Sequence, residues 1–195
     1  MKKLTDYSYE ELATALYVKG KLDGYHKITD KTKWREPVMA EKLGHVAHSK
    51  ISAGQFSESY GSDAFDSVNS VYAEYKSSAI EDKQIRNLLK LEKNNGSKYS
   101  SLKISGVYNG AYKTSAIEKY AKIDHYFGLF YQETCILIIK VNTEEVIRQL
   151  KYNNAKRKPG ATTNLNSVTI DLDDHDKYHV MYNNKEFLLN DSTVP

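Results

Sequence analysis

The 195-residue chain has a single cysteine, so it can form no internal disulfide. That residue, Cys135, lies in the apolar run "CILIIKV" and reads as a buried core thiol in a reducing compartment, which predicts a cytoplasmic protein. Long hydrophobic runs are missing as well, since none approaches the ~20 residues needed to span a bilayer. The N-terminal "MKKLTDYSYEE" has two lysines but no apolar segment after them, so neither a secretory signal nor a membrane partner is expected. There is no strong excess of one charge: 28 basic and 25 acidic side chains leave a net +3, which permits a polyanionic partner without demanding one. His45 and His48 have helical spacing but no cysteine or further paired histidine beside them, so zinc is not expected. "DLDDHD" (171–176) lacks the glycine and terminal glutamate of a calcium loop and reads as a solvated turn. The chain also has no repeats and no low-complexity tract.

What is present is the composition of a globular protein, 40% hydrophobic and 27% charged, long enough to bury a core without disulfides or metals. "SYEELATALYVKG" predicts a helix begun by a serine cap and ended at Gly20. "REPVMAEKLGH" predicts a second, with Pro37 in its first turn and Gly44 at its end. A polar Ser/Gly-rich loop follows, then a hairpin ("AFDSV", a turn around Asn69-Ser70, "VYAEYKS") and a helix over "EDKQIRNLLKLEKNNG". "SLKISGVYNG" reads as a strand, "TSAIEKYAKI" as a short helix and "YFGLFYQETCILIIKV" as a buried hairpin. "NTEEVIRQLK" reads as a capped helix with Arg148 and Lys151 late in it. Two more strands flank the acidic turn. This order predicts an α+β (mixed α/β) fold, a central mixed β-sheet flanked by helices. One domain over 1–195 is expected, with a core at roughly 35–150, an N-terminal helical segment at 1–34 and C-terminal strands at 165–190.

Within the predicted hairpin, Glu74 and Lys76 share one face of their strand, with Tyr75 opposite. A three-residue turn or a bulge near Asn69 would set Asp66 across from Glu74. A strict two-residue turn would instead pair Lys76 with Asp63, making Asp63 the carboxylate on that face. Asp66 is preferred, because it sits late in its strand with the shorter spacing. Two converging carboxylates suit a hard divalent ion such as Mg²⁺. A lysine beside them would stabilise charge developing on a phosphate or orient an attacking water.

With "FD" at Phe65-Asp66, the short hairpin, "YAEYK" at Tyr72–Lys76 and a preceding helix that carries a glutamate, the stretch resembles the PD-(D/E)xK nuclease superfamily. That is the fold of most type II restriction endonucleases, and the resemblance covers roughly residues 35–140, with Phe65 where the family commonly has proline. It implies a restriction-endonuclease-like core in which Asp66 and Glu74 ligate Mg²⁺ and Lys76 assists the attacking water. It also implies a helix glutamate, for which Glu41 and Glu36 are candidates. The implied activity is Mg²⁺-dependent hydrolysis of DNA, most simply by a type II restriction endonuclease. Such an enzyme acts as a homodimer on a palindromic site in double-stranded DNA and has a cognate methyltransferase in the same system. A repair or recombination nuclease of the same fold and a non-catalytic DNA-binding or interaction domain are the alternatives.

Residues expected to meet DNA follow from charge and hydrogen-bonding capacity. Lys151, Lys156, Arg157 and Lys158 lie in a stretch without acids, and Lys98, Lys103 and Lys113 surround the strand after the motif. Gln55 before the hairpin, Asn69 in its turn and Ser77 at the end of its second strand offer polar contacts. Sixteen tyrosines suit a wet, polar interface.

Overall fold

The apolar run around Cys135 forms the middle of the molecule. The computed structural model describes residues 3–22, 31–47, 62–81, 84–85, 102–109, 111, 114–158 and 165–184. In chain order these form α1 (Tyr9–Leu22), α2 (Lys31–Leu43), β1 (Val46–Ala47), β2 (Ala64–Asp66), β3 (Val71–Ile80) and β4 (Lys103–Asn109). There follow α3 (Thr114–Tyr120), β5 (Asp124–Tyr131), β6 (Thr134–Val141), α4 (Thr143–Ala155), β7 (Leu165–Asp171) and β8 (Tyr178–Asn183). The fold is α+β with a central mixed sheet of strand order β1-β2-β3-β5-β6-β8, and β4 and β7 pair separately. Only β3 and β5 run parallel in the large sheet, and every other pair is antiparallel.

β5 and β6 are buried along nearly their whole length, as strands covered on both faces must be. On one face lie β4, β7 and α4, through Ile104, Val168, Ile170, Val146 and Leu150. On the other lies α2, with Val38, Met39 and Ala40 packed on Tyr75, Tyr126, Phe130 and Ile138. Each such Val, Leu, Ile, Met or Phe side chain contributes roughly 1.5–3 kcal/mol when fully buried. Gly128 lets α2 come this close, because a Cβ there would stand 2.7 Å from Met39 Sδ. α4 closes the open edge of β7 with side chains in place of a strand. Gln149 Nε2 donates to the Thr169 carbonyl and Gln149 Oε1 accepts the Thr169 N–H, both at 2.9 Å.

The helix expectations need three adjustments. α1 begins as predicted, with a reciprocal capping box between Ser8 and Glu11, and runs past Gly20 to Leu22. α2 starts at Lys31, so Pro37 sits inside the helix rather than in its first turn, while Gly44 follows the helix at φ 70° as expected. α4 runs to Ala155, which leaves Arg148 and Lys151 in its interior. Its N-cap Asn142 makes no side-chain cap bond, and its amide donates to the Asp176 carbonyl. The helix expected after β3 lies outside the described residues apart from Glu81, Gln84 and Ile85. "DLDDHD" is a turn as predicted, leading into a 3-10 helix at His175–Lys177.

Candidate active site

Loop length decides which aspartate meets Glu74. Residues 67–70 form the hairpin turn, with Ser70 at φ 55°, and the strands pair Asp66 with Val71, Phe65 with Tyr72 and Ala64 with Ala73. Continued one residue further, this register sets Asp63 opposite Glu74. The preference for Asp66 is therefore corrected. Asp66 lies with Ala64, Ala73 and Tyr75 on the α2 side of the sheet, whereas Glu74 and Lys76 point to the β4–β7 side.

Asp66 has a different occupation. Its Oδ1 accepts the Val68 and Asn69 N–H groups at 2.9 and 3.1 Å, and its Oδ2 accepts the Asn69 side-chain amide at 2.6 Å. His45 Nε2 stands 3.6 Å away, and His45 Nδ1 bonds the Tyr75 hydroxyl at 2.7 Å. Burial raises the Asp66 pKa, but the Asn69 and Val68 bonds more than offset it and hold the carboxyl below its usual range. This aspartate closes the turn, and Asn69 is its partner in doing so.

The other face of the hairpin opens into a cleft of about 530 Å³ lined by Asp63, Glu74, Lys76, Ser77, Glu36 and the β4 residues Ser105–Val107, among others. Asp63 Oδ2 accepts the Tyr75 N–H at 2.7 Å, which ties the peptide between glutamate and lysine to the aspartate. Lys76 Nζ lies 2.5 Å from Glu74 Oε1. Glu74 is only 7% exposed. Burial pushes its pKa up to about 7 against the pull of Lys76, and the Asp63 charge pushes the same way. The ammonium of Lys76 thus meets a buried Glu74 carboxylate, and Asp63 lines the same cleft.

Behind this pair stands a buried aromatic group that the sequence did not single out. His125 is the parallel-strand neighbour of Glu74 and is fully buried. Its Nε2 lies 2.9 Å from the Tyr120 carbonyl and its Nδ1 3.1 Å from the Tyr108 hydroxyl. A carbonyl only accepts, so Nε2 carries the hydrogen, and the Tyr108 hydroxyl donates to Nδ1. Burial lowers the imidazole to about 4, keeping the ring neutral. The Lys76 ammonium lies over the Tyr108 ring, 5.0 Å from its centroid.

The two helix glutamates exchange places relative to expectation. Glu36, one turn before Met39 and Ala40, reaches the cleft, while Glu41 is exposed and accepts the Tyr9 N–H at 3.2 Å, joining α1 to α2. Of the described residues expected to meet DNA, only Ser77 lines the cleft. Lys103 is exposed and pairs loosely with Asp171 at 3.6 Å. Lys151 sits on α4, and Lys156, its C-cap, bonds the Tyr152 hydroxyl, so these basic residues belong to a helix and its end rather than to a free loop. Arg157 and Lys158 follow. Gln55, Lys98, Lys113 and His48 lie outside the described residues.

Compared with known proteins, the chain matches no family model, and no curated protein is similar enough to count as a relative. The site has to be judged by its own chemistry. Among the described residues no three His, Cys, Asp or Glu side chains form a ready-made metal cage. Asp63 and Glu74 nevertheless suit Mg²⁺, which takes oxygen ligands, keeps several waters and needs only one or two carboxylates. A divalent cation would also offset the burial, and the lesser repulsion from Asp63, that raise Glu74. Among the described residues no helix is long and apolar enough to cross a membrane.

Proposed function

We propose that the chain is a Mg²⁺-dependent endodeoxyribonuclease of the PD-(D/E)xK type, with Asp63, Glu74 and Lys76 as its reacting constellation. The observation that carries this reading is the convergence of those three side chains in one cleft, with Glu36 from α2 at the same cleft. Asp63 and Glu74 would hold the ion. The chemistry Mg²⁺ supplies when bound is neutralisation of phosphate charge and acidification of the attacking water. Asp63 also anchors the Tyr75 peptide, so Glu74 and Lys76 keep their spacing on one face. Lys76 places a positive charge where the phosphate becomes more negative along the reaction. Hydrolysis breaks one phosphodiester bond, with the proton of water passing to the departing 3′-oxygen and the phosphate left on the 5′-end.

The test is incubation of plasmid and long phage DNA with the purified protein in Mg²⁺ or EDTA. Discrete Mg²⁺-dependent fragments are the expected result. They mark a site-specific type II enzyme, for which a homodimer and a cognate methyltransferase are then expected. A smear marks a repair-type or non-specific nuclease of the same chemistry. DNA left intact by the wild type in Mg²⁺ overturns the nuclease proposal and favours a binding module.

A further inference from the structure

Lys76 poses a problem of placement. Its best partner in the cleft is the Glu74 carboxylate, which is also the group a divalent cation needs. A lysine anchored only there competes for the same oxygens. The structure contains a second anchor that uses none of them. The aliphatic stem of Lys76 lies flat on the backbone of Gly106, where any Cβ would overlap Lys76 Cβ and Cγ. The ammonium then sits over the Tyr108 ring. That ring is fixed at its far end, because its hydroxyl donates to His125 Nδ1 and His125 Nε2 donates to the Tyr120 carbonyl. Tyr108 and His125 are both fully buried, so the ring has no freedom to turn aside.

We infer that Gly106, Tyr108 and His125 form a socket that positions the Lys76 ammonium in the cleft independently of Glu74. The three are positioning residues: they act on Lys76. The ring face attracts the ammonium through its quadrupole, an interaction that strengthens where water is excluded. The hydroxyl's part is orientation. Tyr108 donates its O–H to a neutral imidazole that is held as an acceptor, and so keeps its face to the lysine. Glycine at 106 supplies the depth of the slot. The role of this socket in catalysis rests on the nuclease proposal, but the placement of the lysine does not.

The experiment follows Lys76 directly. In protein labelled with ¹³C-lysine, the Lys76 ε-methylene resonance, assigned by its disappearance in Lys76→Arg, should be displaced upfield by the ring current of Tyr108. The displacement should vanish in Tyr108→Leu and largely return in Tyr108→Phe, which keeps the ring. On DNA, Tyr108→Leu should lower kcat by about 10²-fold at unchanged KM, approaching the loss of one electrostatic contact in the transition state. Tyr108→Phe should recover most of that rate. A wild-type Lys76 resonance at the ordinary lysine position overturns the inference, and this arm needs no variant that might misfold beyond the assignment control. Displaced resonances without any cleavage by the wild type leave the socket standing and remove the nuclease. Cleavage that persists at full kcat in a folded Tyr108→Leu removes the socket's role and leaves the nuclease.

Discussion

The two faces of one hairpin carry nearly the same inventory: a buried acid, a basic side chain close by and a buried tyrosine. On the α2 face, Asp66 is 4% exposed and accepts three hydrogen bonds from its own turn, and its carboxyl is more acidic than usual. On the cleft face, Glu74 is about as little exposed, is held by Lys76, feels Asp63, and is less acidic than usual. Burial raises both carboxyls, Glu74 the more deeply set of the two, and they differ again in what opposes it. A turn supplies fixed N–H donors at no further cost, so Asp66 is a finished piece of structure. In the cleft burial outweighs the pull of Lys76, so Glu74 stays less acidic than usual, a state that a bound cation would reverse.

The largest test of this contrast is catalytic. Asp63→Asn and Lys76→Ala should each lower turnover by ~10²–10³ or more while the protein stays folded and still binds DNA. Asp66→Asn should cut at the wild-type rate per folded molecule. Gel assays of the three side by side decide the matter, and equal losses at Asp63 and Asp66 would erase the distinction between the faces.

Next in size is the pH dependence of stability in EDTA. His125 titrates near 4 when folded rather than at its ordinary 6.5. Its contribution is complete above 6.5 and is lost as pH falls through about 4, a change on the order of 3 kcal/mol. Glu74 runs in the opposite sense. With a folded pKa near 7 instead of 4.5, its contribution is complete below 4.5 and is lost as pH rises through about 7. Between 4.5 and 6.5 the two slopes oppose each other in the wild type. Urea denaturation of Glu74→Gln should uncover the histidine slope, with stability climbing as pH rises. A variant curve no steeper than the wild type's would show that Glu74 carries no such strain.

Asp66→Ala should cost about 1–2 kcal/mol, since it leaves the turn's N–H groups without their acceptor. The wild-type advantage should be complete above pH 3.8 and fade in stronger acid, because the folded carboxyl is the more acidic one. The smallest effect belongs to the positive surface. Lys156, Arg157 and Lys158 changed together to Ala should flatten the salt dependence of DNA binding by at most about three phosphates, equally for all sequences. An unchanged slope would place the DNA path away from the end of α4.

Local pattern determined a good deal. The apolar run placed Cys135 in a buried strand, helix caps and Gly44 marked α1 and α2, and the period of two put Glu74 and Lys76 on one face. "DSVN" also held a usable sign that passed unread: an aspartate followed by asparagine three residues later is a turn closed by its own side chain, which takes Asp66 away from chemistry. The partners of Glu74 were not local. Hairpin register depends on loop length, and a shift of one residue exchanges the faces of every side chain, so Asp63 rather than Asp66 became visible only in the paired strands. Glu36 arrives because Gly128 lets α2 settle close to β5, and Tyr108 arrives because β4 lies across β3 at Gly106. Spacing along a strand is a property of covalent geometry and can be read from the chain. Which distant elements press against that strand depends on how the whole core packs, and that only the folded molecule decides.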